Sequence, residues 1–217
     1  GPLDGDTPGA RSHAAALWKY NMASETLSAP TTVFYGVSED AFANDVEVDG
    51  AGNLWVTVTS SNSANAGTAK LDFQLRKYNP AGTALIFGPL SRPGYVADTE
   101  NLSGVLALSS AAAYAAATKL NSFGNHYLAF LKFDLASGNL LYEKFWHDQQ
   151  YGGNEEVAGI SISPLSGTVY VAGRIASQTQ NQKLAVWGYD DDALSFALTV
   201  AGHTRGRAVA SGVSGDT

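Results

Sequence analysis

The sequence predicts an all-β chain of short antiparallel strands. Alternating segments joined by turn residues recur along it; the clearest runs through Val46-Glu47-Val48, the Asp49-to-Asn53 turn and Leu54-Trp55-Val56-Thr57-Val58. Two aromatic columns return at a near-constant interval. Tyr20, Tyr78, Phe133 and Tyr189 stand 58, 55 and 56 residues apart, and Trp55, Tyr114 and Tyr170 stand 59 and 56 apart. Composition agrees: 45% hydrophobic, 15% charged and 23 glycines suit many short strands with small-residue turns better than a helical bundle.

Taken in order, residues 1–13 show no apolar periodicity and read as a linker or tag-derived tail. Repeats fill 14–217, with units near 14–43, 44–103, 104–158 and 159–206 and a partial unit at 207–217. The first unit supplies a third strand, Ala14 to Asn21, and a fourth. In the next, Val46–Val48 and Leu54–Val58 form a hairpin, Leu75–Asn79 is the third strand, and Leu85-Ile86-Phe87 the fourth. The following units open on Val105–Leu108 and Ile160–Ile162, and Arg207–Ser211 begins another. Residues 107–120 (ALSSAAAYAAATKL) favour helix by propensity alone. The repeat register instead predicts a turn at Ser109-Ser110 and a strand through Tyr114, and a global constraint outweighs a local preference.

A four-stranded antiparallel sheet has two faces to bury and two edges to protect. Radial packing of such sheets does both, which predicts a β-propeller with four-stranded blades. A sandwich would not need a strict repeat. The expected strands are the last two of one unit, three full units and a first strand. Closed on itself, this is a ring of about four blades lacking one strand. The alternatives are a fragment of a larger ring, or a blade completed by another chain.

The phrases Val46–Val56, Gly152–Ile160 and Gly167–Gly173, with the following strands Lys77–Gly82 and Lys132–Gly138, resemble the SBBP-like β-propeller repeats of secreted and cell-surface proteins. The second unit departs from that pattern, with Ser109-Ser110-Ala111-Ala112 where a Gly-Asn turn is expected. The resemblance implies an extracellular or cell-surface location and a binding or scaffold role.

No cysteine is present, so disulfides, zinc-thiolate sites and cysteine nucleophiles are excluded. The net charge of −7, without a Lys/Arg cluster, argues against nucleic acid and anionic membrane surfaces as partners. No segment has the length and apolarity of a transmembrane helix, so no membrane insertion is expected. The recurring aromatics are expected in the packing between units. The non-repeating Tyr95, Tyr127, Trp146 and Tyr151, placed near predicted loops, are the better ligand candidates. Asp190-Asp191-Asp192 offers oxygen ligands for Ca²⁺ but lacks the spaced calcium-loop pattern, so a solvated turn is favoured and no cofactor is expected. Asp40, Asp45, Asp49, Glu155 and Glu156 flank first strands and are expected along one rim, where paired carboxylates are the arrangement acid–base chemistry needs. His13, His126, His147 and His203 share no metal-ligand spacing and are expected at the surface. Asn101-Leu102-Ser103 is a glycosylation sequon in a predicted loop. No catalytic motif emerges. The expected function is a non-enzymatic extracellular module for adhesion, scaffolding or assembly through protein or glycan contacts, as a homo-oligomer or with another chain that completes a blade. A carbohydrate-binding propeller, or a glycan-active hydrolase or lyase with rim carboxylates, is the alternative.

Overall fold

The computed structural model describes residues 14–28, 32–35, 41–60, 72–92, 101–120, 125–147, 154–176, 182–190 and 193–201. The described residues are all-β, every pairing is antiparallel, and no helix is present among them. The chain opens on β1 (Ala14–Leu17), β2 (Tyr20–Asn21), β3 (Thr26–Leu27) and β4 (Thr32–Tyr35), with β1 paired to β4 and β2 to β3. The expected third strand is thus interrupted at Trp18-Lys19. There Ser28 N–H donates to the Lys19 carbonyl (2.9 Å), and Lys19 N–H donates to Ser28 Oγ (3.1 Å).

Three four-stranded sheets follow. The first is β5 (Ala41–Val48), β6 (Leu54–Ser60), β7 (Asp72–Tyr78) and β8 (Leu85–Arg92). The second is β9 (Asn101–Leu108), β10 (Ala112–Leu120), β11 (His126–Asp134) and β12 (Leu140–Trp146). The third is β13 (Asn154–Ile162), β14 (Val169–Ala176), β15 (Gln182–Asp190) and β16 (Ala193–Ala201). In each, strands pair in chain order, as the repeat predicts. The opening strands begin at residues 41, 101 and 154, ahead of the unit starts at 44, 104 and 159, because the turn motif marks only their ends. The expected strand Arg207–Ser211 lies outside the described residues.

The sheets pack in chain order, with β1 touching β5, β5 touching β9 and β9 touching β13. Side-chain alternation gives each sheet two apolar faces, so each can be buried twice. Ala15 and Leu17 meet Val56, Val58 and Tyr78 of the first sheet. The opposite face of that sheet, with Trp55, Phe73 and Leu75, meets Ala113, Ala115, Leu131 and Phe133 of the second. The second sheet's other face, with Ala116, Leu128 and Phe130, meets Val169, Val171, Trp187 and Tyr189 of the third.

This two-sided burial explains why the alanine-rich segment is a strand. Ala113, Ala115 and Ala117 face the first sheet and leave room for the Trp55 and Phe73 rings, while Ala116 faces the third. Ser109 makes the tight turn expected there: its Oγ accepts from the N–H groups of Ala111 (3.2 Å) and Ala112 (2.9 Å).

Close approach also dictates one glycine. A Cβ on Gly173 would overlap the carbonyl oxygen of Glu156 and stand 3.1 Å from the Trp187 ring. Gly173 pairs with Val157, where β13 skips a register position before Gly159. Such a bulge tightens the local twist.

Candidate functional site

The two aromatic columns occupy opposite faces of the sheets and meet across the joints. Phe133 of the second sheet shares a core with Trp55 of the first. Tyr189 of the third lies 6.0 Å from Tyr114 of the second, and 4.8 and 5.1 Å from Phe130 and Tyr142. Polar contacts lock the same joints. Asp45 Oδ2 accepts from Leu106 N–H (2.8 Å), and Thr118 Oγ1 accepts from Val157 N–H (2.9 Å). Lys132 Nζ donates to the Tyr189 hydroxyl (3.2 Å). The columns are therefore packing, as the sequence predicts, with two exceptions. Tyr20 is 55% exposed and Tyr170 is 43% exposed.

Asp49 is a structural carboxylate. Its Oδ1 accepts from Ala51 and Asn53 N–H, and its Oδ2 accepts from Trp55 Nε1 (3.1 Å) and pairs with Lys77 Nζ (3.1 Å). Burial pushes its carboxyl up, but the bonds from the Asn53 side chain, Trp55 and Lys77 outweigh it and hold it well below the usual carboxylate range. Its stabilising contribution is present at neutral pH and is lost as pH falls through the acid range.

A different polar cluster gathers where β11 starts, β12 ends, β13 starts and β14 ends. Glu155, fully buried, lies with Oε2 3.0 Å from Nδ1 of His147. The Tyr127 ring lies 4.3 Å from the His147 ring. Asn154 Oδ1 accepts from His126 N–H (3.0 Å). Glu156 takes a two-pronged hydrogen bond from the half-exposed Arg174, Nε at 2.8 Å, and its other oxygen lies 3.8 Å from His126 Nδ1. The two residues face each other across the β13–β14 ladder. Burial holds the His126 imidazole below its ordinary value; the Glu156 carboxylate opposes this and the Arg174 guanidinium reinforces it. Among the described residues, His126 Nδ1 is buried without a hydrogen-bond partner.

Several expectations change. The carboxylates do not line one rim. Glu155 and Glu156 sit at the start of a first strand, whereas Asp49 follows the end of one and Asp45 lies within it. His126 and His147 are half-buried rather than at the surface, because they fill the edge between the second and third sheets. Tyr127 and Trp146 stand at strand ends, Tyr127 second in β11 and Trp146 last in β12. Trp146 stacks edge-on against buried Trp187, ring centroids 5.4 Å apart, and is part of the joint. Asn101 is the first residue of β9, opposite Lys119, rather than in a loop. Tyr95, Tyr151, His13, His203, Asp40, Asp191 and Asp192 lie outside the described residues; Asp190 ends β15, exposed. Among the described residues no group of three or more His, Asp or Glu side chains could hold a metal ion.

Arg174 and Asn154 were not singled out by sequence reasoning. Arg174 had a signal: the repeat places it where Thr59 and Thr118 stand, each four residues after its column aromatic. The rim cluster lies where the copies of the repeat differ.

No protein-family model matches the chain, and no curated protein matches it. Among solved structures, the chain is similar to "Trypanosoma rangeli sialidase in complex with sialic acid", with a TM-score of 0.54 and 10% sequence identity. The match covers 86% of this chain and 35% of that one, so the chain spans about a third of the length of its structural neighbour. At this identity the likeness concerns the fold alone.

Proposed function

We propose that the chain is a β-propeller-type module, its sheets set radially as blades, that works outside the cell by binding protein or glycan rather than by catalysis. The ligand-facing surface in this reading is the rim of His126, Tyr127, His147 and Arg174. One observation carries the non-catalytic part: both rim carboxylates are engaged within the protein, Glu155 by His147 and Glu156 by Arg174. Glycoside hydrolysis by the two-carboxylate route needs a pair poised on either side of a bond, one protonated and one ionised. A half-exposed guanidinium beside an imidazole and a tyrosine ring offers hydrogen-bond donors and a stacking face instead. The extracellular setting rests on the resemblance to secreted and surface repeats.

The second reading is a glycan-active hydrolase. It is favoured by the juxtaposition of Glu155 and His147 and by the sialidase fold likeness. A glycan array followed by fluorogenic glycosides, sialosides included, separates the two. The binding reading predicts retention of at least one glycan class, weakened about tenfold or more by Arg174→Ala, and no turnover. Turnover abolished by Glu155→Gln would overturn it in favour of the hydrolase.

A further inference from the structure

Two histidines enter the joint between the second and third sheets, and they are served differently. His147 has its Nδ1 3.0 Å from the buried Glu155 carboxylate. His126 opens β11 and alternates in phase with Leu128 and Phe130, which face the third sheet. Its backbone is held on two sides. The N–H donates to Asn154 Oδ1 at 3.0 Å, and the residue pairs with Leu120 of β10. The side chain is 19% exposed, and among the described residues its buried Nδ1 has no hydrogen-bond partner. Glu156 Oε1 lies 3.8 Å from that nitrogen, beyond hydrogen-bond reach but close enough for an ion pair. The other oxygen of the same carboxylate, Oε2, accepts both bonds from Arg174. One carboxylate thus stands between an imidazole and a guanidinium.

The other charged and titratable groups near this end of the joint, among the described residues, are accounted for by element. On β10, Lys119 pairs with Tyr127 on the opposite face of the sheet from His126, and its Nζ lies over the Phe145 ring at 4.4 Å. On β12, Lys144 stands opposite Phe130, four residues along from His126, and is exposed. From β13 come Glu155, set against His147, and Glu156. From β14 comes Arg174, and on β15 Lys183 pairs with Ile175. The electrostatic influences on the His126 ring are those of Glu156 and Arg174.

We propose that His126 is a proton-operated latch on Arg174: a proton on Nδ1 draws the Glu156 carboxylate onto the imidazolium and releases the guanidinium. Protonation turns the nitrogen into a buried cationic donor, and such a donor without an acceptor is strongly unfavourable. Arg174, its side chain 43% exposed, regains hydration when it loses its partner, so its side of the exchange costs little. Closing the gap to a charge-assisted hydrogen bond takes a shift of about 1 Å. Both Arg174 bonds end on one oxygen, so a carboxylate rotation that brings Oε1 to His126 lengthens them together. Burial keeps the imidazole uncharged at neutral pH, so Arg174 is held there and released only on acidification below the ordinary imidazole range. The consequence for binding rests on the reading of this rim as the ligand surface: a ligand that takes donors from Arg174 is held more tightly in mild acid. The latch itself needs no ligand.

An NMR titration of the whole chain from about pH 8 to about pH 5 tests it, following the His126 ring and the Arg174 Nε–H resonance. In the wild type the Arg174 resonance is expected to move with the same midpoint as the His126 ring. In His126→Gln it should keep its neutral-pH position throughout. In Glu156→Gln it should show no response, and His126 should take its proton at lower pH, because the carboxylate that favours the imidazolium is gone. The wild-type and Glu156→Gln titrations decide the matter even where His126→Gln does not fold. An Arg174 resonance that stays still while His126 titrates overturns the latch, as does one that moves equally in His126→Gln. A His126 ring that stays neutral down to about pH 5 overturns it too. A latch that operates in a chain that retains no glycan overturns the ligand reading and leaves the latch standing.

Discussion

Replacing Trp55 by alanine is expected to cost about 3–5 kcal/mol, among the largest losses available in this chain. The indole is fully buried in the joint between the first and second sheets. It meets Phe87 edge-on at 4.9 Å and lies under Lys77 Nζ at 4.8 Å. Its Nε1 is one of the donors that keep Asp49 ionised, so truncation removes packing and weakens the β5–β6 turn together. Against a typical domain stability of about 5–15 kcal/mol, the variant should stand close to its unfolding midpoint. Trp55→Phe keeps most of the packing and loses the N–H, so its cost should be about 1–3 kcal/mol. Equilibrium urea denaturation measures both; equal losses would mean that the ring's bulk contributes little.

Gly173→Ala should be nearly as damaging although it adds one methyl group. The added Cβ falls on the Glu156 carbonyl oxygen with the Trp187 ring on its other side, so neither neighbour yields cheaply. The carbonyl is backbone beside the β13 bulge, and displacing it breaks the ladder that sets Glu156 opposite Arg174. Overpacking of this kind costs about 1–3 kcal/mol or more. Gly50→Ala, where no atom lies within 4 Å of the new Cβ, is the control and should stay within about 0.5 kcal/mol of wild type. Thermal unfolding of the two variants side by side checks the contrast.

The architecture was legible because it is written several times. One copy of Trp55 is an aromatic in a strand; aligned with Tyr114 and Tyr170 it reports a face, and a second column on the other face implies a joint. The same register outweighed the helical propensity of residues 107–120, since burial on both faces decides their state. The rim was legible only in part. Glu155 could be marked as a carboxylate flanking a strand, but its pairing with His147 depends on how β12 of one sheet meets β13 of the next. Trp146 and Tyr127 could be placed only near loops, because they stand outside the columns; the strands that hold them, HYLAFLKFD and LLYEKFW, lack clean alternation. Arg174 is the instructive omission. A charge standing where two copies carry threonine is the kind of departure that marks a site rather than a scaffold.

The central claim is that the column aromatics of successive sheets hold the joints together, and a double-mutant cycle across Tyr114 and Tyr189 tests it most directly. Tyr114→Ala, Tyr189→Ala and the double variant are compared by urea denaturation at low protein concentration. The account predicts a favourable coupling of about 0.5–1.5 kcal/mol between the two rings, and a markedly smaller loss for Tyr170→Ala, the same column position on an open face, than for Tyr114→Ala. Strictly additive losses, with Tyr170→Ala as costly as Tyr114→Ala, would contradict it.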